Sequence, residues 1–154
     1  MSKSSRSNTH RQVDVDAYDK DRFVLEEGTQ DLSGEFNTRK SEVRRLLNIS
    51  NAPEALKFCL KNPLYSADRK TKDEMVKLVV EILSSMKNTE INKLAASLSS
   101  ADIDICLKYV FKGMEFPDFA ASCSAILLTW HKALVDAGGE GAIMRVLTDR
   151  SHCV

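Results

Sequence analysis

Apolar positions recur every three or four residues over most of this chain, and that period predicts helices from about Arg39 onward. Val43, Leu46 and Leu47 share the face of a first helix. Asn51 is placed to cap a second, with Pro53 in its first turn and Leu56, Cys59 and Leu60 inward. Asn62-Pro63 predicts its end, because a residue before proline avoids helical geometry. The clearest period runs from Asp68 to Met86. Met75, Val79, Ile82, Leu83 and Met86 line one face, while Lys70, Lys72, Asp73, Lys77 and Glu81 lie mostly on the other.

Asn88 is the expected cap of a short helix carrying Ile91, Leu94, Ala95 and Leu98. Ser99 followed by Asp102 resembles a capping box for the next, whose inward positions are Ile103, Cys106, Leu107, Val110 and Met114. Pro117 opens the approach to a longer helix running to about Asp136, with Cys123, Leu127, Trp130 and Leu134 on one face. Gly138-Gly139 ends it, and Ile143, Met144, Val146 and Leu147 mark a last helix. About seven helices with short links and no strand imply an all-α fold, an irregular bundle or short α-α superhelix.

Residues 1–38 break the pattern. They read as an extended polar tail holding one apolar island, Val13, Val15, Tyr18, Phe23 and Val24, ahead of a helical domain at 39–154. Gly28, Ser33 and Gly34 read as a flexible link. Alternation of Val13, Asp14, Val15 and Asp16 suits an extended segment laid on a partner. Burying one anchor gains about 1.5–3 kcal/mol, and ordering one backbone residue costs about 1–2 kcal/mol. Five anchors over a dozen residues therefore come close to balance. Such a tail holds a partner only when the helical part is docked nearby, so its target is a neighbour of the core's own partner. From Val24 to Arg39 the link has a root-mean-square span of about 20–25 Å and a ceiling of about 55 Å.

Charge adds a second contrast. The 154 residues carry 22 basic and 22 acidic side chains, so the formal net charge is zero. Lys3, Arg6 and Arg11 make the start mildly basic. Asp14, Asp16, Asp19, Asp21, Glu26, Glu27, Asp31 and Glu35 then form an acidic stretch, relieved by Lys20 and Arg22. No broad basic field suits nucleic acid. No apolar run approaches membrane-spanning length, and none follows Met-Ser-Lys-Ser-Ser-Arg as in a secretory signal. A cytoplasmic protein is expected, with Cys59, Cys106 and Cys123 as buried free thiols.

Candidate chemistry is thin, and neither metal nor cofactor is expected. Cys123 and His131 lie two helical turns apart, too far to chelate one ion. Gly138-Gly139-Glu140-Gly141 lacks the lysine and the preceding strand of a phosphate loop, and reads as a helix–helix turn. No orienting carboxylate is paired with His131, so no cysteine or serine has an evident base. Trp130 reads as core, and His131 as a helix-surface or interface residue.

Three stretches resemble a known family. They are Val13-Asp14-Val15-Asp16-Ala17-Tyr18-Asp19 with Phe23-Val24; Leu107-Lys108-Tyr109-Val110-Phe111-Lys112-Gly113-Met114-Glu115; and Leu127-Leu128-Thr129-Trp130-His131-Lys132-Ala133-Leu134, continued by Ala137-Gly138-Gly139 and residues 141–148. Leu60-Lys61-Asn62-Pro63 adds a shorter match. Together they are similar to the smallest subunit, subunit 5, of the actin-related protein 2/3 complex, which nucleates branched actin filaments.

That resemblance implies a non-catalytic structural subunit, located in the cytoplasm and actin cytoskeleton, in contact with actin filaments only through the complex. It implies a helical core docked on subunit 4 and the β-propeller subunit 1, and an N-terminal segment tethering the actin-related protein 2 subunit. Val13, Val15, Tyr18, Phe23 and Val24 are then the tail contacts. Lys108, Lys112, His131 and Arg145 are the positional choices for the core surface. The alternative reading is a free-standing helical adaptor whose tail folds back on its own groove.

Overall fold

The computed structural model describes residues 32–61, 63–65, 67–116 and 122–149. The predicted tail contacts Val13, Val15, Tyr18, Phe23 and Val24 lie outside the described residues. Among the described residues the fold is all-α, with seven helices and no strand: α1 Ser33–Asn48, α2 Ala52–Leu60, α3 Arg69–Ser85, α4 Asn88–Ser97, α5 Ser100–Glu115, α6 Ser124–Gly138 and α7 Glu140–Thr148.

α3 is the hub. Met75, Val76, Val79, Val80, Ile82 and Leu83 are completely buried, and α1, α2, α5 and α6 pack around the helix. Burying each such side chain contributes about 1.5–3 kcal/mol, which makes this stripe the main source of cohesion. Trp130 of α6 is also fully buried, and its indole N–H donates to the Leu83 carbonyl at 3.1 Å. That bond lets the polar edge of a large ring enter the core without an unmet donor.

The helix starts follow local chemistry. Asp68 accepts from the Thr71 amide at 3.3 Å, and Asn51 from the Glu54 amide at 3.4 Å. The Ser99–Asp102 capping box is complete, each side chain accepting from the other residue's amide. At α4, Lys87 rather than Asn88 occupies the cap position, with no side-chain cap bond.

α1 begins at Ser33, ahead of the expected Arg39, so Ser33 and Gly34 form its first turn. Phe36, Arg39 and Val43 are its buried residues. Arg39 disguises this stripe in the sequence. Its aliphatic stem is buried while its guanidinium pairs with Glu35 at 3.0 Å, one turn back.

Candidate docking surface

The α5–α6–α7 corner is held closed by one glycine hinge and a polar seam. Gly139, with φ of +71°, joins α6 to α7 in a single residue, a conformation that side chains with a Cβ rarely adopt. At Gly138 the helices approach closely, and an added Cβ would meet Ile103 Cγ2 at 2.9 Å. Only Ala142 of α7 is buried.

Polar groups add to the packing of Ala142 and Val146. Ser100, Asp104 and Lys108 are spaced four apart along α5, so they form one row. Arg145 grips Asp104 with two bonds, 2.7 and 2.9 Å, and reaches Ser100 at 3.1 Å. The Asp104 carboxylate raises the Arg145 pKa, through its hydrogen bonds first. Lys108 meets Asp149, just past α7, at 2.6 Å.

α7 rests on the core through Ala142, with Val146 packed partly against it. Arg145 reaches the α5 row from a half-exposed position, and two large apolar side chains stay outside. Met144 is 61% exposed and Leu147 71% exposed, and their three-residue spacing makes them neighbours on one face. Leu128, on α6, is 58% exposed. Ile49, Phe58 and Tyr65 are the other exposed large apolar residues among those described, and belong to the α1–α2 end of the chain.

The four residues chosen from sequence for the core surface fall on these three helices. Lys108 is buried and engaged by Asp149. Lys112 pairs with Glu115 at 2.8 Å, and this bond lowers the Glu115 pKa. His131 is half-buried, its ring 5.4 Å from that of Phe111 and tilted by 58°. Arg145 is half-exposed at the seam. The exposure of Met144 and Leu147 was not visible in the sequence, where both read simply as helix-forming apolar positions. The signal that could have found it is the charged row Asp104–Lys108 opposite Arg145–Asp149.

The thiols divide by depth. Burial pushes Cys59 and Cys106 up to about 12. Cys123, expected to be buried, is half-exposed at the start of α6. Hydrogen bonds from Ser122, at 3.5 Å, and from Ser84 lower its pKa. Neither hydroxyl is a base, so this arrangement does not make a catalytic pair.

Two open depressions lie beside α1. One of about 570 Å³ is lined by Asn37, Lys40, Ser41, Arg44, Arg45 and Asn48. The other, about 590 Å³, shares Lys40 and Arg44 and adds Lys77, Leu78, Val80 and Cys123, with Glu74 and Glu81 opposite the cations. Among the described residues no group of three metal-ligating side chains converges, and no helix is long and apolar enough to cross a membrane.

Comparison with known proteins adds independent information. The family model described as ARP2/3 complex 16 kDa subunit (p16-Arc) matches residues 9–153. The chain is 38% identical over 151 residues to the Xenopus laevis actin-related protein 2/3 complex subunit 5-C, covering 97% of this chain and 98% of the relative. It is 35% identical over 152 residues to the Rattus norvegicus actin-related protein 2/3 complex subunit 5-like protein, with the same coverage. It is also 32% identical over 144 residues to a probable actin-related protein 2/3 complex subunit 5 of Caenorhabditis elegans, covering 93% of this chain.

Proposed function

This chain belongs to the ARP2/3 complex 16 kDa subunit family, and from that membership we propose that it is a two-point structural bridge within the complex, supporting actin nucleation and branching. The family is non-catalytic. Its partners are other subunits of the complex, and its place is the cytoplasm and its actin-rich regions. In this reading the helical core docks on subunit 4 and the β-propeller subunit 1. Residues 13–24 hold the actin-related protein 2 subunit, with Tyr18 and Phe23 as leading anchors because aromatic residues dominate interface energies. Val13, Val15 and Val24 complete the contact.

One observation carries the proposal: the family match extends from residue 9 to 153, so the tail island is part of the shared pattern together with the core. On the core, the reading favours the α6–α7 surface around Met144 and Leu147. Exposed neighbouring apolar side chains gain most from a partner, and half-exposed Arg145 lies between them in sequence on the same helix as a polar group suited to an interface rim. Lys108 acts at one remove, fixing the end of α7 through Asp149.

The early start of α1 shortens the bridge. Only residues 25–32 separate Val24 from the helix, which allows at most about 28 Å when extended and about 15 Å root-mean-square. The tethered subunit must therefore lie beside α1.

Reconstituted complexes test both points. The chain lacking residues 1–31, or carrying Tyr18→Ala and Phe23→Ala, should recover subunits 4 and 1 normally while losing the actin-related protein 2 subunit in stringent washes. Met144→Ser with Leu147→Ser should reduce recovery of the scaffold subunits. Equal retention of every subunit by all the variants would sink the bridge.

A further inference from the structure

We propose that the cationic face of α1 is a docking site for the acidic segment of this same chain, residues 13–24, which occupies it whenever the neighbouring subunit does not hold that segment. The proposal rests on the tether reading above, and supplies the segment's second location, in the unassembled protein. It begins with the lining of the first depression. Asn37, Lys40, Ser41, Arg44, Arg45 and Asn48 recur at helical spacing, so they form one continuous stripe with three cations and no carboxylate. Arg45 is held by Glu42 at 2.6 Å, and Lys40 lies 3.5 Å from Glu74. Arg44 is exposed and has no ion-pair partner among the described residues, which makes it the leading contact. Across the shared wall Lys77 is offset by Glu74 and Glu81, so the cationic character is concentrated on the α1 side.

The occupant follows from charge and chain length. Asp14, Asp16, Asp19 and Asp21 punctuate residues 13–24, against Lys20 and Arg22 alone. Asn37 to Asn48 spans about 17 Å of helix, whereas eight extended residues cover about 27 Å. Residues 14–21 thus overreach the stripe, and residues 25–32 suffice for a reversal, which Gly28 makes easiest. Each exposed ion pair is weak and screened by salt. Tethering compensates, because a short link holds the segment at an effective concentration of about millimolar.

Amide hydrogen exchange of the isolated full-length chain reads this directly. In about 50 mM salt, amides of residues 13–21 should exchange about tenfold more slowly than in a Lys40→Gln, Arg44→Gln, Arg45→Gln variant, and the gap should close in about 0.5 M salt. Unchanged α3 amides show that the variant is folded. A second variant, Asp14→Asn, Asp16→Asn, Asp19→Asn and Asp21→Asn, leaves the core untouched and should lose the same protection. Equal exchange in the wild type and both variants overturns the proposal, and so does protection that survives both variants or high salt. In the reconstituted complex the segment should be protected with or without the α1 substitutions. Loss of protection there strikes the tether reading and leaves the groove result standing.

Discussion

α3 and α7 carry the same signal in sequence and meet opposite fates. Both are amphipathic helices with apolar residues three and four apart. α3 turns its stripe into the centre, where Met75, Val79, Ile82 and Leu83 lose all exposure, and presents Lys77 and Glu81 to solvent. α7 buries only Ala142, packs Val146 partly against the core, and leaves Met144 and Leu147 outside while Arg145 reaches Asp104. Amphipathicity therefore fixes that a helix has two faces, while its neighbours fix which face is covered. In α3 four helices compete to cover the apolar side. α7 meets the core over a narrower apolar strip, Ala142 and Val146, to which the Asp104–Arg145 and Lys108–Asp149 pairs add.

The sharpest way to break this contrast is to cut into the centre. Ile82→Ala should destabilise the chain by about 2–5 kcal/mol in urea or thermal unfolding, from lost transfer energy plus a residual cavity. A loss below about 1 kcal/mol would mean that the centre is loosely packed and the contrast with α7 is overstated.

Thiol chemistry sharpens the same boundary next. Cys59 and Cys106, pushed up to about 12, hold almost no thiolate at pH 8, whereas the lowered pKa of Cys123 enlarges its thiolate fraction. Alkylation followed by peptide mapping should therefore find Cys123 modified at least about a hundredfold faster, with rates converging in denaturant. Comparable rates in the native chain would place the central helices within reach of solvent.

The smallest effects belong to α7 and its seam with α5. Lys108→Met should cost about 1 kcal/mol, because its partner Asp149 is 44% exposed and the pair is already partly solvated. Leu147→Ser should change stability by less than about 0.5 kcal/mol while weakening docking. If Leu147→Ser proved as costly to the isolated chain as Ile82→Ala, α7 would be part of the core, and its surface would have no interface to offer.

Much of the fold was legible because burial in helices leaves a period. Met75 to Met86, the Ser99–Asp102 box and the Asn51 cap each lie within a few residues of chain, so local chemistry expresses them fully. The start of α1 escaped because Arg39 stands at a buried position, and its stem serves as apolar surface only once Glu35 holds its head. The candidate surface was less legible. Lys108, Lys112, His131 and Arg145 fall on α5, α6 and α7, and their internal partners come from residues as far as 45 positions away.

By itself the sequence determined an all-α chain, its helix order and its family, since period, capping and motif are properties of neighbouring residues. Only the tertiary structure decided that Cys123 meets solvent, that Met144 and Leu147 stay outside, and that Arg145 and Lys108 find partners across the α5–α7 seam. Those outcomes depend on which face each helix gives to its neighbours, and helix packing sets that through contacts between residues far apart in the chain.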